Sequence, residues 1–206
     1  MKVLTLQIGV MKANCYIVYR RKSPGCVVID PGGDVEIIMG LLEDKGLELN
    51  TILLTHGHFD HIGGIEELKE KTGAKIAIHS LEADSLTDPN KNLSYMINKE
   101  IKLEAPDIEL EDGDEIRVSD MVFKVIHTPG HSIGGVTFRV GDLLFTGDTL
   151  FEGTIGRTDI SGGSYDQLIS SIREKLLVLD EKLTVYPGHG SQTTLGRERS
   201  YNPYLT

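Results

Sequence analysis

Six consecutive residues, His56-Gly57-His58-Phe59-Asp60-His61, carry three imidazoles and one carboxylate. Such donors suit borderline divalent metals such as zinc, and a loop can aim alternate residues at converging points as a strand cannot. Gly57 is read as the residue that lets the backbone bend tightly between the first two donors. Four donors are too many for one catalytic metal that keeps an open position. Three more stand downstream, each just past an apolar run: His131 in Pro129-Gly130-His131, Asp148 in Thr146-Gly147-Asp148 and His189 in Pro187-Gly188-His189. Seven donors suit two ions about 3.5–4 Å apart that share a bridging carboxylate and a water whose pKa falls to roughly 7. Zinc is the expected metal, with iron and manganese as the other divalent ions considered.

Other polar residues are read more plainly. His79 and His127 lie outside the donor motifs and read as structural or supporting histidines. Asp30 ends an apolar run beside a turn, where it either orients a ligand histidine or closes an Asx-turn. Arg157 and Asp159, in a glycine-rich loop from Gly153 to Gly163, either orient substrate or pair and brace that loop.

These residues need elements to hold them. Short β-type runs at Val3 to Ile8, Cys15 to Tyr19 and Cys26 to Ile29 are separated by turn residues. A helix is expected from Val35, capped by Asp34, with Val35, Ile38 and Leu42 inward and Gly46 after its end. Thr51 to Thr55 reads as a buried strand, and Ile62 to Lys71 as a helix stopped by Gly73. Lys75 to Ile78 is another strand, followed by a polar stretch, 80 to 106, that is helical only in pieces. Strands then follow near 115–118 and 121–127, and at Val136 to Val140 and Leu143 to Phe145, the last two joined by a Gly141-Asp142 hairpin turn. Ser164 and Gln167 form a capping-box pattern for a helix with Leu168, Ile172, Leu176 and Leu179 inward, and Thr184 to Tyr186 is a final strand. Strands followed by helices in both halves give an α/β layered arrangement with helices outside.

Composition sets limits. With 21 basic and 31 acidic residues the formal charge is −10, and the longest basic run is Arg20-Arg21-Lys22, which argues against nucleic acid or an anionic membrane as partner. Cys15 and Cys26 sit in apolar runs, and with no signal-like N-terminus they read as reduced thiols of a cytoplasmic protein. The 206 residues, without a linker or low-complexity segment, are expected to form one domain spanning 1–206. Oligomeric state is not legible.

The donor pattern resembles the metallo-β-lactamase superfamily: His56 to His61 meets its His-x-His-x-Asp-His signature, and the later His, Asp and His follow in order between residues 30 and 189. That resemblance implies a four-layer αβ/βα sandwich. It also implies that His56, His58 and His131 hold one metal, that Asp60, His61 and His189 hold the second, and that Asp148 bridges. The segments around His56, His131 and Asp148, together with Gly156-Arg157-Thr158-Asp159, are most similar to the glyoxalase II branch, which hydrolyses thioesters such as S-lactoylglutathione. The function so implied is attack on a small-molecule thioester by a metal-bound hydroxide, with Asp60, His61 and Asp148 at the catalytic centre and Arg157 and Asp159 at the substrate. A thiol of pKa about 8.5 departs as thiolate without a dedicated acid, whereas an amide needs a proton donor.

Two further comparisons bear on the substrate. Full-length glyoxalase II proteins continue into a helical glutathione-binding region, whereas only 17 residues follow His189, so a short single-domain type is the better match. The main zinc β-lactamase types are disfavoured by the Asp148 position. The rival reading is the persulfide dioxygenase branch, which shares these motifs but uses one iron on the counterparts of His56, His131 and Asp148.

Overall fold

The computed structural model describes residues 1–206, which divide into two compact units, Met1–Leu110 with Arg117–Met121, and Glu111–Ile116 with Val122–Thr206. Six strands of the first unit form one sheet in chain order: β1 (Lys2–Ile8), β2 (Ala13–Tyr19), β3 (Gly25–Ile29), β4 (Glu48–Leu53), β5 (Lys75–His79) and β6 (Ile108–Leu110). The first three run antiparallel as hairpins and the last four run parallel. Parallel neighbours need crossovers. They are supplied by α1 (Val35–Lys45), by α2 (Phe59–Ile62) with α3 (Ile65–Thr72), and by a stretch that includes α4 (Ala83–Thr87). β2 and β3 are buried almost throughout, as unbroken apolar runs demand of interior strands, whereas β1 is partly exposed at the sheet edge. Val28, Ile38, Leu42, Ile52, Ile65 and Leu68 join one apolar core between this sheet and its helices.

The second large sheet has the order β14-β13-β10-β9-β8-β7. Its strands are β7 (Glu115–Val118), β8 (Met121–His127), β9 (Val136–Val140), β10 (Leu143–Gly147), β13 (Thr184–Pro187) and β14 (Thr193–Thr194), while β11 (Leu150–Phe151) and β12 (Thr154–Ile155) form a separate ribbon. β10 and β13 are parallel, connected through α5 (Tyr165–Ser171) and a π-helical turn over Ile172–Leu176. Leu168, Ile172 and Leu176 bury one face of that helix against Leu144, Val185 and Leu195. The last helix is α6 (Leu195–Tyr201). No helix is long and apolar enough to cross a membrane.

Several expectations need correction. Asp34 holds the N-cap position of α1, but its side chain makes no capping bond: it sits at φ 47, and its carboxylate instead accepts the Gly9 N–H at 2.9 Å, which ties the β1–β2 turn to the α1 start. The helix read from Ile62 breaks at Gly63 and Gly64, where the backbone turns to give the Gly64 N–H to Pro31 O at 2.8 Å. Side chains are excluded there, since a Cβ on Gly63 would meet Gly32 O at 2.6 Å. Ser164 does accept from Gln167 N at 3.4 Å, and Gly141 turns the β9–β10 hairpin at φ 58. β6, β14 and α6 were not expected, being too short or too polar to show a period.

Candidate metal centre

Each expected donor lies just beyond the carboxyl end of a strand, the usual place for ligands of such sheets. In the first unit His56 and His58 follow β4, and Asp60 and His61 open α2. The His56 ring lies 4.6 Å from that of His58 and 4.3 Å from that of His61, centroid to centroid. His56, His58 and His61 are buried.

One buried carboxylate sets the protonation of two of these rings. Asp30, at the end of β3, accepts Thr55 N–H on Oδ1 at 2.8 Å and the Thr55 hydroxyl on Oδ2 at 2.6 Å. His61 Nδ1 reaches the same Oδ2 at 3.1 Å and must donate to it. Since the Thr55 hydroxyl has spent its proton on Asp30, its oxygen accepts from His56 Nδ1, 3.1 Å away. Both rings are thereby fixed with the proton on Nδ1 and a lone pair on Nε2, the tautomer a metal requires. Asp30, His56 and His61 bring donor atoms within 4.8 Å of one another, but the three hydrogen bonds already on Asp30 make it the orienting group rather than a ligand. Of the two roles left open for Asp30, the structure shows the orienting one.

In the second unit His131 follows β8, Asp148 follows β10 and His189 follows β13. His131 Nδ1 donates to Arg157 O at 2.8 Å, fixing the same tautomer. Asp148 sits in a turn closed by Thr149 N to Thr146 O at 3.0 Å, where Gly147 takes φ 49, and β10 shifts register against β13 at that point. Asp148 Oδ2 stands 3.6 Å from His131 Nε2 and 3.7 Å from His189 Nε2. In the first unit Asp60 Oδ2 stands 3.7 Å from His61 Nε2. These separations are too long for hydrogen bonds and close to the ~3.4 Å between two ligands of one tetrahedral zinc with bonds of about 2.1 Å. The donor chemistry, the tautomers and the spacing therefore fit divalent metal. His189 is the most open of the donors, with Phe151 edge-on to its ring at 6.2 Å.

The glycines act by leaving room. Gly57 was read as a bend, but its backbone has no positive φ. A Cβ there would overlap Ser85 Oγ, so the residue is small because α4 lies against it. Likewise a Cβ on Gly156 would overlap Asp148 O, and one on Gly32 would overlap Asp60 O. Arg157 and Asp159 form a bidentate pair at 2.8 and 3.0 Å, both exposed, and this pairing holds the Asp159 carboxyl below its ordinary range. His127 donates from Nε2 to Ile133 O at 3.0 Å, and His79 Nδ1 accepts Leu81 N–H at 3.3 Å, so both have structural roles. Glu82, Asn92 and Glu198, all buried, went unnoticed in the sequence because none falls in a motif. Glu198 accepts Gly153 N–H at 2.8 Å and the Thr193 hydroxyl at 2.7 Å, anchoring the β11–β12 ribbon that carries Phe151.

Known proteins resemble this chain over nearly all of its length. The hydroxyacylglutathione hydrolase GloC of Haemophilus influenzae is 34% identical over 100% of this chain and 98% of its own length. Among solved structures, the B3 metallo-β-lactamase BLEG-1 superposes with a TM-score of 0.96 at 36% identity, covering 100% of both chains. TTHA1623 in a di-iron-bound form superposes with a TM-score of 0.87 at 36% identity, over 98% of this chain and 100% of that one. The metallo-β-lactamase superfamily model matches residues 8–189, which takes in all seven donors, so the chain has that fold and belongs to the metallo-β-lactamase superfamily.

Proposed function

We propose that this protein is a binuclear metal-dependent hydrolase of small acyl thioesters, with residues 1–206 forming one metallo-β-lactamase-fold domain. In this reading His56, His58 and His131 hold one ion, Asp60, His61 and His189 hold the other, and Asp148 bridges. The observation that carries it is Asp148 Oδ2 at ligand spacing from both His131 and His189, as a carboxylate shared between two ions would stand. The di-iron form of TTHA1623 supports two metals, though zinc suits this donor set equally well. When bound, such ions supply Lewis acidity and water activated near neutral pH.

The chain's own part is to hold the donors. Asp30 and Arg157 O fix tautomers, and the exposed Arg157–Asp159 pair would meet polar groups of the substrate. A thioester suits this site because its thiolate leaves unaided. The name of GloC, a relative matched over 98% of its own length, supports a glutathione thioester such as S-lactoylglutathione. The name of BLEG-1 favours a second substrate class, β-lactams. Nucleic acid and membrane are not expected partners at a net charge of −10, and two fully buried free thiols suit a reducing cytoplasm.

The test is metal analysis of the purified protein with a panel of S-lactoylglutathione, other acyl thioesters, a β-lactam and a persulfide. Two metals per chain with thiol release from thioesters is the expected result. One iron per chain with oxygen consumption on the persulfide, or β-lactam turnover alone, would overturn it.

A further inference from the structure

The ligand loop alternates donors with spacers: Gly57 lies between His56 and His58, and Phe59 between His58 and Asp60. Both spacers give their backbone N–H to the same distant segment. Gly57 N–H donates to Glu82 Oε2 at 3.2 Å, and Phe59 N–H donates to Asn92 O at 2.8 Å. Glu82 is 4% exposed and Asn92 is fully buried, an unusual depth for a carboxylate and an amide outside a catalytic centre.

The segment is itself braced. Ser85 donates its hydroxyl to Glu82 O at 2.5 Å, and Asn92 Nδ2 donates to Ser85 O at 2.8 Å and Ile101 O at 2.9 Å. Asn92 Oδ1 accepts Ser94 N–H at 3.0 Å. The missing side chain of Gly57 is what lets Ser85 pack against the loop. Fixing the N–H of each spacer fixes the plane of the peptide that joins it to the donor before it, and therefore constrains the direction in which His56 and His58 leave the backbone.

We infer that Glu82 and Asn92 are positioning residues, which aim His56 and His58 at metal by capturing the N–H groups of Gly57 and Phe59. The inference rests on the reading of those two residues as metal ligands. It assigns a role to the polar stretch after β5 that no donor motif marks. Of the pair, Glu82 is the more informative to change, since its contact is made by the side chain. Glu82→Gln keeps an acceptor oxygen, and Glu82→Ala removes it.

The experiment is competition of the full-length protein with a chromophoric chelator for zinc, alongside the visible spectrum of the cobalt-loaded protein. Glu82→Ala is expected to bind zinc about 10–100-fold more weakly than wild type and to alter the cobalt bands. Glu82→Gln should stay within about threefold of wild type. Leu42→Ala, a core change in the same unit, controls for lost stability: it should lower the melting temperature and leave zinc affinity and the cobalt spectrum unchanged. Wild-type affinity in Glu82→Ala, loss in Glu82→Gln equal to that in Glu82→Ala, or a matching loss in Leu42→Ala would overturn the inference. A wild-type protein that binds no zinc would instead refute the metal-ligand reading beneath it.

Discussion

Replacing Asp30 by Asn tests the hydrogen-bond relay that prepares two histidines for metal. The change is nearly isosteric, and Asp30 lies at φ 52, a left-handed conformation that Asn tolerates as well as Asp, so the backbone is not perturbed. The amide keeps one acceptor for Thr55 N–H but turns the Oδ2 position into a donor. That position now receives protons from the Thr55 hydroxyl and from His61 Nδ1. Two hydrogen bonds to a buried charge, at about 1.5–3 kcal/mol each, put the loss at about 3–6 kcal/mol in the metal-free protein. At about 2–4 °C per kcal/mol for a chain of this length, the melting temperature falls by about 6–24 °C. The structure relieves part of this by reversing the relay: the amide donates to Thr55 Oγ1, the hydroxyl turns to His56 Nδ1, and both rings move their proton to Nε2. The observed drop should therefore lie near the lower end. Metal affinity then falls by at least about 10–100-fold, because each ion meets an N–H where it needs a lone pair. Calorimetry of the metal-free variant reads the first effect and chelator competition the second. Two-bond proton–nitrogen spectra of the imidazoles read the tautomers directly. Zinc affinity equal to wild type, with the proton still on Nδ1 of His56 and His61, would refute the relay.

Four further outcomes follow from the same geometry. His58→Ala and Asp60→Ala should abolish thioester hydrolysis while far-ultraviolet circular dichroism stays native, because the apolar clusters of both units are built without donor residues; unfolding of either variant would make the centre structural. Gly156→Ala should lower kcat by about 100-fold, since its Cβ must push the Asp148 backbone aside by an ångström or so; steady-state kinetics on S-lactoylglutathione check it. Arg157→Ala breaks only an exposed pair, so melting should shift by no more than about 2 °C while KM rises, as paired melting and kinetic measurements would show. Burial pushes the Cys26 thiol up to about 12, and burial, with the Asp30 charge behind it, raises Cys15 as well, so neither should react with iodoacetamide at pH 8 until denaturant is added. The sign for stability follows: the folded state holds the Cys26 proton more tightly than the unfolded chain, whose thiol titrates near 9.0, so this contribution is intact below pH 9 and is lost toward pH 12. The slope in that window is about 1.4 kcal/mol per pH unit, and alkaline unfolding of wild type against Cys26→Ala measures it.

The candidate donors were legible in the sequence because their pattern is local. His56 to His61 declares itself through composition alone, and the later His131, Asp148 and His189 each follow an apolar run that marks a strand end. Strand and helix periods were legible for the same reason: Ile38 and Leu42, or Leu168, Ile172 and Leu176, repeat within one turn or two. What aims the donors was not legible, since the aiming groups come from far along the chain. Asp30 and Glu82 each act across 25 residues, one upstream of Thr55 and the other downstream of Gly57. Neither distance is a period of any element, so no local pattern flags them. The same is true of Asp34, whose position before a helix predicts a cap, and whose carboxylate is drawn away by Gly9 from a turn that only the fold brings close. Gly57 and Gly156 carry this one step further. A glycine signals either a backbone that must turn or a neighbour that must come near, and the sequence cannot separate the two. In Gly57 the neighbour is Ser85, in Gly156 it is the Asp148 backbone, and in both the empty volume serves the donors beside it. The candidate donors are thus written in a few short motifs, while what aims them is distributed over residues whose types look ordinary until the fold pairs them.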